Sequence, residues 1–285
     1  MNSDLEKLLK ERARQQRRPD GTAYLSLPHR DEISIASLTG ASLRKVQISA
    51  LLNDVIPERY CRNQRSLTSA EQILLLRSHV AVIGQGGLGG TVTEILARLG
   101  IGSLTLVDGD VFEESNLNRQ LLATVDTLGL KKAETGGQRV RAINPAVEVE
   151  VVNEFLTKKN GSAILAGAHL AVDCLDSIPS RFILEEACRE SDIALVSAAI
   201  AGAAGQAMVI FPGETGLRQI YGDPDSTPQK GIETRLGTLP YAAIFMAAVE
   251  CAEVVSLLCR QNSSLRSSLL IANIDDKTME TISLT

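Results

Sequence analysis

Residues 80–90, VAVIGQGGLGG, restrict what this chain can become more than any other stretch. An apolar run (Val80, Ala81, Val82, Ile83) breaks into glycine at Gly84, Gly86, Gly87 and Gly89, and a helical pattern follows. The pattern predicts a strand, a tight turn and a helix N-terminus. Glycine lets the backbone approach an anion closely, and the free N–H groups and dipole at the start of a helix favour negative charge. Asp108 lies nineteen residues beyond Gly89 and closes a second predicted strand at 103–107, where a ribose hydroxyl sits in nucleotide-binding folds. The motif marks a nucleotide site and leaves the nucleotide open.

The rest of the chain extends this unit. Strands are predicted at 79–83, 103–107, 147–152, 170–173 and 194–197. Helices alternate with them at 88–99, 131–143, 162–165 and 180–191, and a helix at 69–77 leads in. Such alternation predicts an α/β fold with a Rossmann-like, doubly wound, mostly parallel sheet. An apolar strand at 206–211, read as antiparallel, a Gly-, Pro- and Asp-rich surface crossover at 212–238, a helix at 239–258 and a hairpin at 269–274 and 278–284 form an antiparallel C-terminal extension. Upstream, a short basic helix at 5–18 and a Pro19-Asp20-Gly21 turn read as a solvated helix or mobile arm. Residues 31–56 suggest two or three short helices around Thr39-Gly40. Their spacing is loosely that of a helix-turn-helix, but only Arg44 and Lys45 are offered to DNA, so they read as a small helical cap. The chain thus divides into a basic arm and cap, 1–56, and a nucleotide-binding domain, 57–285.

Composition narrows the functions. A net charge of −5 argues against nucleic acid as the main ligand. Residues 1–18 are too polar for a signal peptide, and the best membrane candidate, 239–249, is short and Ala-rich, so no membrane role and a cytoplasmic location are expected. Five scattered cysteines without a C-x-x-C read as reduced thiols, each a small hydrophobe rather than a nucleophile. Three separated histidines give no metal-ligand spacing.

Several further residues do not belong to a dehydrogenase, the simplest reading of the glycine turn. After Asp108-Gly109-Asp110 comes a polar loop with Ser115, Asn116, Arg119 and Gln120. Lys132 opens the next helix, and Asp176 follows the strand that ends in Asp173, at the same sheet edge as the glycines. Asp173 itself reads as a structural residue of the strand end. A glycine loop, an arginine, a lysine and a lone carboxylate suit a triphosphate carried with magnesium, the cations spreading phosphate charge and Asp176 holding the metal.

GQGGLGG, DGD at 108–110, SNLNRQ at 115–120, Lys132 in LKKAE, INP at 143–145, DCLDS at 173–177 and RYCRN at 59–63 together resemble the ThiF/MoeB/HesA family, bacterial relatives of the ubiquitin-activating enzymes, from about residue 57 to 284. The resemblance implies an adenylyltransferase that takes ATP and magnesium and activates the C-terminal glycine carboxylate of a small ubiquitin-fold sulfur-carrier protein, ThiS- or MoaD-like. It implies a homodimer. It assigns Arg62, Arg119, Lys132 and Asp176 to catalysis, Arg62 often reaching across from the second subunit. Gly84, Gly86, Gly87, Asp108, Asp110, Ser115, Asn116, Gln120 and Ser177 join Arg119, Lys132 and Asp176 around the nucleotide. Ser177 stands where the family usually has Asn. The C-x-x-C pairs that hold zinc in many relatives are absent, so no structural zinc is expected, and the crossover lacks the cysteine of thioester-forming members, so chemistry should end at the acyl-adenylate. The alternatives are adenylation of another carboxylate, a nucleotide-sensing module whose cap contacts DNA, and a dehydrogenase.

Overall fold

Side chains of a central parallel strand must be apolar on both faces, and the strand after which the glycines turn obeys this. A computed structural model describes residues 2–284. The nucleotide-binding part opens with α4 below and the central strand β4 (His79–Ile83); before them stand α1 (Asn2–Arg12), β1 (Arg14–Arg17), β2 (Ala23–Leu27), α2 (His29–Thr39), α3 (Leu43–Leu52) and β3 (Val55–Pro57). Val80 and Val82 pack into the core beneath α5 (Gly87–Leu99), whereas Ala81 and Ile83 face the opposite layer. After α4 (Ser69–Arg77) and β4 the order is α5, β5 (Ser103–Val107), α6 (Lys132–Ile143), β6 (Glu148–Val152), α7 (Gly161–Ile164), β7 (Leu170–Asp173) and α8 (Ile178–Glu190). Then come β8 (Ala194–Ala201), β9 (Ala204–Ile210), α9 (Arg218–Tyr221), α10 (Glu233–Leu236), α11 (Pro240–Arg260), β10 (Ser268–Asn273) and β11 (Thr278–Ser283).

The eight-stranded sheet runs β11-β10-β9-β8-β7-β4-β5-β6. Strands β6 to β8 are parallel neighbours through β5, β4 and β7, and β8-β9-β10-β11 are antiparallel. The chain winds outward from β4 to β6 and then returns to β7 on β4's other side. That reversal opens a crevice at the C-terminal ends of β4 and β7, where open α/β sheets take ligands. The doubly wound sheet with its antiparallel extension is the architecture expected from the sequence.

Two stretches differ. The basic helix ends at Arg12, and Arg14–Arg17 form an exposed strand paired with β2. Leu5 and Leu9 are buried with Leu27, Ile35, Val46 and Val55, so the N-terminal stretch is packed and not a mobile arm. RQQR carries no apolar alternation, which is why periodicity missed it. Helix α11 also runs longer than the 239–249 segment weighed as a membrane span: at 21 residues it is long and apolar enough to cross one. Met246, Ala247, Cys251 and Val254 are instead buried against the sheet and α5.

The cap is locked to the nucleotide-binding part through buried polar groups. The Tyr60 hydroxyl donates to Gln47 Oε1 at 3.2 Å and accepts from Asn144 Nδ2 at 3.1 Å; Asn144 also donates to the Ala97 carbonyl, and Gln47 Nε2 to Glu32 Oε2. Burial pushes the Tyr60 phenol up to about 12, so it stays a donor. Arg44, one of the two basic residues a DNA reading needs, bonds the Gly102 carbonyl and Glu148. Asn144 of the INP motif and Tyr60 of RYCRN are therefore the joint between the two parts. Because buried partners left unmade cost about 1–3 kcal/mol, Tyr60→Phe is expected to lower unfolding free energy by about that much in urea melts. An unchanged midpoint would show that the joint contributes nothing.

Candidate active site

Backbone crowding makes the site. Gly84 has φ +95°, and a Cβ there would lie 2.5 Å from the Cys174 carbonyl oxygen; one on Gly89 would lie 1.8 Å from the Gly84 carbonyl oxygen. Only glycine permits the turn after β4 to lie against the end of β7 and α5 to start directly above it. Gly86 caps α5 without a side-chain bond, so the first N–H groups of this 13-residue helix are free for an anion.

A cavity of about 800 Å³ opens at this point. Its walls include Gly84, Gly86, Gly87, Asp108, Asp110, Asn116, Arg119, Gln120, Lys132 and Asp176, ten of the residues singled out from the sequence. Asp108 is held by the backbone N–H groups of Gln85 (2.7 Å) and Asp110 (2.8 Å). Burial nonetheless raises its pKa, the two N–H donors and Lys132 opposing the shift. Lys132 is buried, with Nζ 3.2 Å from Asp110 Oδ2, whereas Lys131 is exposed and off the cavity wall. Arg119 lies beside Gly87 and is steadied by the Ser115 carbonyl (3.1 Å) and Asn118 Oδ1 (2.9 Å). Gln120 Oε1 is buried without a hydrogen-bond partner among the described residues.

Three expected residues lie off the cavity wall. Ser115 is exposed and supports Arg119 through its carbonyl. Ser177 caps α8, its hydroxyl accepting from the Ser180 N–H at 3.2 Å. Arg62 is exposed, and its guanidinium makes no hydrogen bond or ion pair among the described residues.

Asp176 projects into solvent, its side chain 83% exposed, in contact with Lys230. Among the described residues no three His, Cys, Asp or Glu side chains come together as a metal cage. One open carboxylate still fits magnesium, which keeps several waters and takes one or two protein carboxylates beside substrate phosphates.

Under the crevice, Asp173 is buried and accepts from Ser197 Oγ (2.6 Å), Arg181 (2.8 Å) and the Leu175 N–H (3.0 Å). This makes Asp173 a structural residue, as its strand-end position suggested. Glu250 of α11 is buried; burial first, and then the charge of Asp173, hold its carboxyl well above the usual range, with Arg181 and the Ala198 backbone opposing. Cys174, Cys188 and Cys251 are buried and their thiols are pushed up by burial; Cys259, half-buried, is pushed up to about 11. These four are poor nucleophiles.

The sequence reading missed the residues brought in by the 212–238 crossover, which lies over the cavity as a strap. Its Leu217 N–H donates to Glu185 Oε1 (3.1 Å), its Gln229 carbonyl accepts from the Ile178 N–H (3.3 Å), and its Gly237 carbonyl accepts from the Gly202 N–H (2.7 Å). So fixed, the strap places Tyr221, Lys230 and Ile232 on the cavity wall, with Gln206 donating to the Tyr221 hydroxyl at 3.1 Å. Phe155, exposed after β6, covers Gly109 beside Asp108. An aromatic just past a strand's C-terminal end was the available signal for Phe155; nothing local marks Lys230.

The chain is similar to known proteins in sequence and fold. The ThiF family profile matches residues 60–285. The SAMP-activating enzyme E1 of Haloferax volcanii is 36% identical over 211 residues, 73% of this chain and 77% of that protein. The crystal structure of Escherichia coli tRNA N6-threonylcarbamoyladenosine dehydratase, TcdA, in complex with ATP superposes with a TM-score of 0.61 at 25% identity, covering 72% of this chain and 95% of that one. E. coli MccB, crystallised with MccA-N7isoASN, shares the fold with a TM-score of 0.68 at 20% identity, over 90% of this chain and 80% of that one.

Glu185 makes the strap's anchor sensitive to pH. Burial pushes its carboxyl up to about 7, the Leu217 N–H opposing. A folded pKa above the unfolded 4.5 means that the fold favours the protonated acid. Its stabilising contribution is complete below about 4.5 and is lost as pH rises through about 7. Wild type and Glu185→Gln should therefore have matching urea midpoints near pH 5 and diverge near pH 8, with the Gln variant more stable. A difference constant with pH would contradict this.

Proposed function

The chain belongs to the ThiF family, and from that premise we propose that it is an ATP-dependent adenylyltransferase acting on the C-terminal glycine carboxylate of a small ubiquitin-fold sulfur-carrier protein. The observation that carries the reading is the charge arrangement at the sheet's switch point. An uncapped helix N-terminus, Lys132 and Arg119 gather on the glycine side, and Asp176, in contact with Lys230, stands across the crevice. A dinucleotide needs no such spread of cations around an open carboxylate, and a triphosphate does.

In this mechanism Asp108, already oriented by two N–H donors, accepts from the ribose hydroxyls. The carrier's terminal carboxylate oxygen attacks the α-phosphorus. The new acyl–phosphate bond forms as the bond to pyrophosphate breaks, and the leaving charge falls on the β and γ phosphates. Lys132 gives up Asp110 and Arg119 turns from its carbonyl support to bind those oxygens. Asp176 would hold magnesium arriving with the nucleotide, which when bound supplies further neutralisation of the phosphates. No covalent protein nucleophile is required, so positioning and electrostatics supply the rate.

The substrate reading is supported by the relatives. One is named for activating SAMP, and MccB was crystallised with MccA-N7isoASN. A second reading, adenylation of another carboxylate, is favoured by the match to the tRNA-modifying dehydratase with ATP bound. A cytoplasmic homodimer belongs to the same proposal. In that proposal Arg62, exposed and off its own chain's cavity, would serve the second copy's site.

ATP–pyrophosphate exchange should appear only with a Gly-Gly-ending ubiquitin-fold carrier and fall about a hundredfold in Lys132→Ala; no exchange with any such partner would refute the carrier reading. Arg62→Ala and Lys132→Ala are each expected to keep only about a hundredth of wild-type exchange alone, yet unfolded and refolded together they should regain about a quarter of it, since half the dimers then hold one intact site. No recovery on mixing would place Arg62's action within its own chain or remove its role.

A further inference from the structure

Lys230 is a cavity cation that neither motif nor resemblance singles out, and its Nζ lies directly on Asp176 Oδ2. The pair faces solvent, with side chains 45% and 83% exposed, and a pair so placed contributes little to folding. Its position is better defined than its strength. The Gln229 carbonyl is bonded to the Ile178 N–H, and the Gly231 N–H to Glu233 Oε1 at 2.9 Å, so the backbone on both sides of Lys230 is tied down. The flexible lysine stem therefore pivots from a fixed point over one end of the crevice. That end is where phosphates belong, because Gly84 of the anion turn packs on the carbonyl of Cys174, two residues before Asp176.

One carboxylate cannot hold an ammonium and a divalent cation together without mutual repulsion. Whatever metal takes Asp176 must displace Lys230, and the displaced charge, tethered at 229 and 231, then has the triphosphate as its nearest anion. We infer that Lys230 is a strap-borne phosphate-binding residue: it neutralises Asp176 while the crevice is empty and passes to the triphosphate, and to the departing pyrophosphate, once Asp176 takes the metal. The inference rests on the adenylation reading and adds to it a cation that follows metal loading. Lys132 and Arg119, by contrast, sit on the glycine side, paired with Asp110 and the Ser115 carbonyl and not with Asp176.

The test is equilibrium binding of a non-hydrolysable ATP analogue to the full chain, in magnesium and in EDTA. In magnesium Lys230→Gln should bind about tenfold more weakly than wild type, the loss of one charge-assisted hydrogen bond, and Lys230→Arg should stay within about twofold. In EDTA Asp176→Asn should tighten binding more in the wild-type background, where it frees Lys230 for the triphosphate, than in Lys230→Gln, where it removes only the repulsion of the unpaired carboxylate. Equal binding of Lys230→Gln and wild type in magnesium, or tightening by Asp176→Asn that is the same with and without Lys230, would overturn the inference. A wild-type protein that binds the analogue in neither buffer would overturn the nucleotide reading, and this inference with it.

Discussion

The close backbone approach of Gly84 to the Cys174 carbonyl is the constraint from which the site follows. β4 and β7 are parallel neighbours with Ile83 opposite Asp173, so the turn leaving one strand and the loop leaving the other emerge side by side. A side chain at Gly84 would force them apart. With them in contact, the start of α5 and the Asp176 loop both line the same cavity. The same proximity buries Asp173, whose negative charge is met by Arg181, Ser197 and the Leu175 N–H. Removing one partner of such a pair costs about 3–5 kcal/mol, so the loop carrying Asp176 is anchored from beneath.

Around that contact the charges fall into two sets. Lys132 and Arg119 are held on rigid or self-supported segments on the glycine side, the first buried, the second braced by the Ser115 carbonyl. Asp176 and Lys230 face each other across the opposite rim, on segments open to solvent. In the proposed reaction the glycine-side cations would leave Asp110 and the Ser115 carbonyl for phosphate oxygens, and the Asp176–Lys230 pair at the rim would exchange partners as ligand arrives.

Much of this was legible in the sequence because the carrying signals are local. The helix at 69–77 and the strands at 79–83 and 103–107 have the bounds that their apolar runs predict, and the glycine turn and polar loop locate most of the cavity wall. What stayed hidden is set by tertiary placement. Strand β1 is RQQR, polar throughout, and is a strand only because β2 pairs with it. Lys230 and Tyr221 reach the cavity because the strap is pinned at Glu185, Ile178 and Gly202, contacts that no periodicity in 212–238 announces. Tyr60 and Asn144 were visible as motif letters, but their work, joining the cap to the sheet, appears only in the fold.

In the proposed reaction this crevice joins a carboxylate to AMP. Intact-mass spectrometry of a Gly-Gly-ending carrier protein incubated with the protein, ATP and magnesium should then show a carrier species heavier by one adenylyl group at its C-terminal carboxylate, with pyrophosphate released in equal amount and no adduct on the enzyme's own cysteines. An unmodified carrier accompanied by ADP, or an acyl group found on a cysteine of this chain, would contradict it.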